Sequence, residues 1–150
     1  MTTVVADDIA TTYAQAVVLY VQDGQYAVPI GRVQEIVRVP EITRVPRAQA
    51  DVEGVINLRG HVLPVVDLAK RLGLGATERD PQARVVVVQR AAGSVGLLVD
   101  GVSEVLRLSP SDLEPASQVE SQAGAQAIQA VAKLDDRLIL LLNLETVLGA

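Results

Sequence analysis

The chain has no cysteine, no phenylalanine and no tryptophan, and its only aromatics are three tyrosines. Without Cys, disulfides and thiolate metal sites are excluded. The single histidine, His61, rules out a His-rich metal site or a facial triad. With aromatics at 2% and apolar residues at 49%, the core must be built from Val, Leu, Ile and Ala, and valine in quantity favours strands. Long apolar runs are also missing. The longest aliphatic stretch, Leu138 to Leu142, is far short of the roughly 20 residues that a membrane helix needs. The first residues carry Asp7 and Asp8 without a basic start, so neither a signal peptide nor membrane insertion is expected, and a cytoplasmic protein is the plain reading. A net charge of −5 and a pI near 4.8 argue against nucleic acid as a partner, because phosphate binding wants a basic footprint.

A catalytic constellation is equally absent. No serine sits in an elbow-like setting from which it could use His61. Gly73-Leu74-Gly75 lacks the further glycine and the preceding strand of a phosphate loop. Asp135-Asp136 read as turn formers. No cofactor or metal is expected, and a small-molecule enzyme using His61 is the remote alternative to a binding module.

What is present is one domain's length of short strands joined by glycine turns. Val17 to Val21 and Tyr26 to Ile30 flank Asp23-Gly24 as a hairpin. Gly31 to Ile36 reads as one helical turn, since Val33 and Ile36 are three apart. Pro40 to Asp51 reads as a long tethered loop. Val55 to Leu58 and His61 to Val66 form a second hairpin around Arg59-Gly60, which sets a long-armed cation at a tight turn. Asp67 then suits the N-cap of a short helix, Leu68 to Leu72. Residues 1–13 read as a loose arm and 73–83 as a polar linker.

After the linker the chain repeats itself. Shifted by 69 positions, residues 16–39 lie on 85–108, and Val17, Val18, Gly24, Val33, Glu35 and Arg38 meet Val86, Val87, Gly93, Val102, Glu104 and Arg107. Shifted by 76, residues 55–73 lie on 131–149, so that Asp135-Asp136 take the place of Arg59-Gly60. Each repeat, about 16–73 and 85–149, is marginal alone, and two small barrels on one shared aliphatic core are expected. Residues 30–62 hold five Arg against four acids, so Arg32, Arg38, Arg44, Arg47 and Arg59 suggest a cationic patch for an acidic partner.

Several blocks closely resemble the CheW-like domain family: Val33-Gln34-Glu35-Ile36, Val52 to Gly60 with Leu63 to Leu68, Gly96 to Val102, and Lys133 to Leu141. They keep the family's order and cover nearly all of the chain after Tyr13. The resemblance implies a mainly β fold of two SH3-like five-stranded barrels with short helices. It implies a free-standing, non-enzymatic adaptor, recruited to membrane receptor arrays, between the cytoplasmic tip of a chemoreceptor (a methyl-accepting chemotaxis protein) and the regulatory domain of a CheA-type histidine kinase. A coupling protein of another receptor-kinase pathway, such as surface motility, is the alternative. The residues implied for receptor binding are Val33, Glu35, Ile36, Arg59, Val102 and Val105. Those implied for kinase binding are Ile42, Arg44, Val45, Pro46 and Gly54. The lack of Phe departs from a family that often places aromatics in its ring contacts.

Overall fold

A computed structural model describes residues 11–77, 80–115 and 127–148. The strands are β1 (Gln15–Val21), β2 (Gly24–Pro29), β3 (Val33–Arg38), β4 (Val52–Leu58), β5 (His61–Asp67), β6 (Arg84–Val88), β7 (Val95–Val99), β8 (Gly101–Arg107), β9 (Leu113–Pro115), β10 (Ile128–Leu134) and β11 (Arg137–Leu142). Helix α1 (Leu68–Arg71) follows β5, and α2 (Leu144–Leu148) follows β11.

The strands form two sheets, β8-β1-β2-β11-β10-β9 and β3-β6-β7-β5-β4. Neither sheet is one sequence repeat. The hairpin β1–β2 of the first repeat sits among strands of the second through the parallel pair β2–β11, and β6–β7 of the second joins the first through the parallel pair β5–β7. The two repeats have exchanged their leading hairpins. The 73–83 linker is therefore a connection within one sheet, and Thr77 and Ala83 inside it are buried.

The valine-rich strands bury both faces, and alternation sorts their side chains into three clusters. Val17, Leu19 and Val21 of β1, with Val86 and Val88 of β6 and Val66, Leu97 and Leu142, form the core between the barrels. Ala16 and Val18 point the other way, into the first barrel with Ala27, Ile139 and Leu141. Val85 and Val87 fill the second barrel with Ile56, Leu63, Val65 and Leu98. A continuous aliphatic run is thus what a strand between two cores requires.

The repeat extends to irregularities. β3 gains one residue against β6 between Val33 and Glu35, and β8 shows a register shift between its partners Val102 and Val105. β4 is shifted at Val52/Gly54, and β10 at the matching Ile128/Ala130. The bulge in β3 corrects the expected helical turn over Gly31 to Ile36. A 3₁₀ turn at Ile30–Arg32 precedes a strand, and the extra residue puts Val33 and Ile36 on one face at a spacing that imitates a helix. Tyr13, assigned to the arm by sequence, is instead buried, and its hydroxyl donates to the Leu142 carbonyl. Residues 1–10 of that arm lie outside the described residues.

Candidate functional site

Arg59 and Gly60 both have positive φ, 52° and 86°, as a two-residue hairpin with type I′ twist requires. Gly60 N–H donates to Asn57 Oδ1 at 2.9 Å, which fixes the turn. From this tip Arg59 Nη1 donates to Glu35 Oε2 at 2.5 Å. Glu35 lies on β3, at the opposite edge of the sheet from β4, so the ion pair bridges the two edges and closes the second barrel. The hydrogen bond and the charge of Glu35 raise the guanidinium's pKa above its ordinary value. The Arg59 side chain stays 76% exposed, and its remaining donors have no partner among the described residues.

The twin hairpin shows what this arrangement is. Asp135, at φ 54°, holds the place of Arg59, while Arg137 holds the place of His61. Arg137 Nη2 meets Glu104, the counterpart of Glu35, at 3.3 Å and Gln25 Oε1 at 2.8 Å. The Glu104 carboxyl is held below its usual range by the Ser103 hydroxyl first, against desolvation, and then by Arg137. Both barrels are therefore latched by an edge-strand glutamate and a hairpin arginine. The second tip is not without a cation; its cation sits two residues along and folds inward.

Val33 and Val102 both pack against the core between the barrels, one from each sheet. Ile36 and Val105, their neighbours on the outer faces of β3 and β8, are 40% and 50% exposed. In β3, Val37 points into the second barrel, which turns Ile36 outward. The implied receptor residues thus fall into an apolar set flanking the barrel junction and the Glu35–Arg59 latch at the second barrel's rim.

The implied kinase residues divide differently. Arg44, Val45 and Pro46 are exposed and line a hollow of about 260 Å³ that also touches Lys70. Ile42 is half-buried against the second barrel's interior. Gly54 is buried beneath the loop, at φ 148°, so it offers a partner no surface. A Cβ there would lie 2.1 Å from the Thr43 carbonyl oxygen. That close approach lets Thr43 and Val55 exchange backbone hydrogen bonds of 2.9 and 2.8 Å, and so holds the loop against β4.

Sequence reasoning passed over Val62, 65% exposed beside Arg59, although the inward positions Leu63 and Val65 put it outside the barrel by alternation. It also passed over Arg90 and Ser94, which line one cavity with Arg59 and His61. His61 is exposed, and its imidazole has no hydrogen-bond partner among the described residues. Among those residues no cluster of His, Asp and Glu could hold a metal, and no helix is long and apolar enough to cross a membrane.

The family model for the CheW-like domain matches residues 15–150. The chain is 39% identical to "Chemotaxis protein CheW" of Rhizobium meliloti (strain 1021) over 127 residues, 85% of this chain and 82% of that one. It is 31% identical to the protein of the same name from Bacillus subtilis (strain 168) over 137 residues, 91% of this chain and 88% of that one. The crystal structure of the scaffolding protein TtCheW from Thermoanaerobacter tengcongensis superposes with a TM-score of 0.84 at 31% identity, covering 91% of this chain and 93% of that one.

Proposed function

This chain belongs to the CheW-like domain family, and from that premise we propose that it is a chemotaxis adaptor that couples receptors to a histidine kinase by arrangement alone, with no covalent step of its own. The observation that carries the reading is the pair of exposed aliphatic strips on β3 and β8, which flank the barrel junction beside the charged latch. A helical hairpin from a chemoreceptor's cytoplasmic tip would lay its apolar side along Val33, Ile36, Val102 and Val105. Burial of these four supplies most of the affinity, while Arg59 and Glu35 set orientation and selectivity. Contacts of this transient kind bury at most roughly 1,200 Å² in total. The regulatory domain of a CheA-type kinase would meet Arg44, Val45 and Pro46 on the loop that Gly54 and Ile42 hold in place. Recruited through these contacts, the protein joins receptor arrays without entering the membrane.

The test is Arg59→Glu, which faces Glu35 with a like charge at the rim. The circular dichroism spectrum is expected to remain that of a folded β protein. Co-purification with a receptor fragment is expected to fall by at least about tenfold, because a reversed charge opposes the partner as well as losing it. A folded variant that retains both receptor and kinase association would overturn the assignment of Arg59. Separately, Ile36→Asp with Val105→Asp should abolish receptor association and leave kinase association intact, since both side chains are exposed and neither lines the hollow at Arg44, Val45 and Pro46.

A further inference from the structure

The two barrels have equivalent mouths that are filled differently. In the first barrel Arg137, Gln25 and Glu104 close the opening by direct hydrogen bonds. Under the repeat, His61, Ser94 and Glu35 take those three places in the second barrel. An imidazole and a hydroxymethyl group are too short to reproduce the plug. Ser94 turns aside to donate to Gln34 Oε1, and Glu35 is taken by Arg59. The result is a cavity of about 520 Å³ at the second mouth, within the range of small-ligand clefts. Arg59, His61 and Arg90 line it, with Val62 and Pro64 among the apolar walls, and Glu35 is the one acid in the lining. Arg90 spends one donor, Nε to the Gly93 carbonyl at 3.1 Å, and its terminal amino groups have no partner among the described residues.

We infer that this mouth is a pocket for the carboxylate of an acidic side chain carried on an aliphatic segment of a partner polypeptide. The free donors of Arg90 and Arg59 suit a planar carboxylate, and the apolar walls suit the methylene stem. A volume of about 520 Å³ suits one or two side chains. Arg90, His61 and Ser94 belong to neither the receptor nor the kinase set above, while Arg59 and Glu35 are shared with the receptor set.

The experiment follows backbone amide shifts of the full chain during titration with an acetylated, amidated pentapeptide, Ala-Leu-Glu-Leu-Ala, and with its Gln-centred counterpart. Saturable shifts at His61, Arg90 and Ser94 with the Glu peptide, and binding about tenfold weaker or worse with the Gln peptide, are expected. Arg90→Gln keeps a donor for Gly93 and removes the charge; it should weaken the Glu peptide by about tenfold. His61→Arg combined with Ser94→Gln copies the plug of the first barrel and should abolish the shifts at the mouth. Equal binding of the two peptides, an unchanged affinity in Arg90→Gln, or no binding by the unmodified chain would overturn the inference. Should the double variant fail to fold, Arg90→Gln decides alone. None of these variants alters Arg59, so a failure here is distinguishable from a failure of Arg59→Glu with the receptor.

Discussion

Gly54→Ala is expected to lower stability by about 3 kcal/mol and to release the loop that carries Arg44, Val45 and Pro46. Two costs combine. The backbone φ of 148° is a conformation that a residue with Cβ resists, and the added methyl would sit 2.1 Å from the Thr43 oxygen and 2.9 Å from Ile42 Cγ2. The oxygen belongs to the backbone, so relief requires moving the loop, which breaks the Thr43–Val55 hydrogen bonds. The twin position, Ala130, shows that the repeat itself does not demand glycine there. In the first barrel a regular strand, β9, pairs across Ala130 to Ala132, whereas in the second a single bridge at Thr43 lies closer. Hydrogen exchange at the Thr43 and Val55 amides measures the release directly. At roughly 3 °C per kcal/mol for a chain of this size, the melting temperature should fall by about 10 °C. Kinase association should weaken while receptor association survives at temperatures where the variant is folded. Retained protection at Thr43 would show that the loop tolerates the methyl.

The hairpins were legible because their turns carry chemical signatures. Arg59-Gly60 is the turn of β4–β5, whereas Asp23-Gly24 marks the β1–β2 reversal one residue late: Gly24 already pairs with Val21, and the turn is Gln22-Asp23, with Gln22 at φ 52°. The recurrence of Glu35 at Glu104 was visible in the sequence, and the structure adds a counterpart of the Asp67 cap at Asn143, whose Oδ1 accepts from the Thr146 N–H. The exchange of hairpins between repeats was not. Parallel pairing of β2 with β11, and of β5 with β7, depends on which edges meet in space, and an edge leaves no mark in its own sequence. The bulge in β3 misled for a related reason. A three-residue spacing of Val33 and Ile36 is compatible with a helix or with a strand holding one extra residue, and only the partner strand decides.

For the site, the residue types were legible and their grouping was not. Arg59 stands out at a turn tip, yet nothing local says that it reaches Glu35, 24 positions earlier. That contact exists because β3 and the β4–β5 tip approach as the sheet closes. Gly54 was singled out only by the resemblance, and what the structure shows there is the Thr43 carbonyl admitted close against β4 beneath the 40–51 loop. The cationic patch suggested for residues 30–62 is in fact divided. Arg32 pairs with Glu145 at 2.7 Å, Arg59 with Glu35, and only Arg44 and Arg47 stand together around the 44–50 hollow.

Asp67→Ala is expected to be still more costly, at about 4 kcal/mol. Asp67 is fully buried, and its carboxylate accepts from four donors: the Ala69 and Lys70 amides at 3.0 and 3.4 Å, the Thr77 amide at 2.9 Å and the Thr77 hydroxyl at 2.7 Å. The first two are the open N–H groups at the start of α1, whose loss as a cap costs about 1 kcal/mol. The Thr77 groups are buried, and leaving such donors unpaired costs roughly 1–3 kcal/mol. One residue therefore starts a helix and ties the following connection to it, where Leu68, Ala69 and Leu72 enter the core shared by both barrels. The damage should spread across the barrel junction rather than stay local. Denaturant unfolding of Asp67→Ala should show a midpoint shift of that size with an unchanged slope. Asp67→Asn keeps one oxygen but aims an NH₂ group at donors, so it should recover only part of the loss. Thr77→Val removes the hydroxyl donor alone and should cost about 1 kcal/mol. If Asp67→Ala cost no more than Thr77→Val, the carboxylate would be no more than a helix cap, and the fastening of the 73–83 connection would have to come from elsewhere.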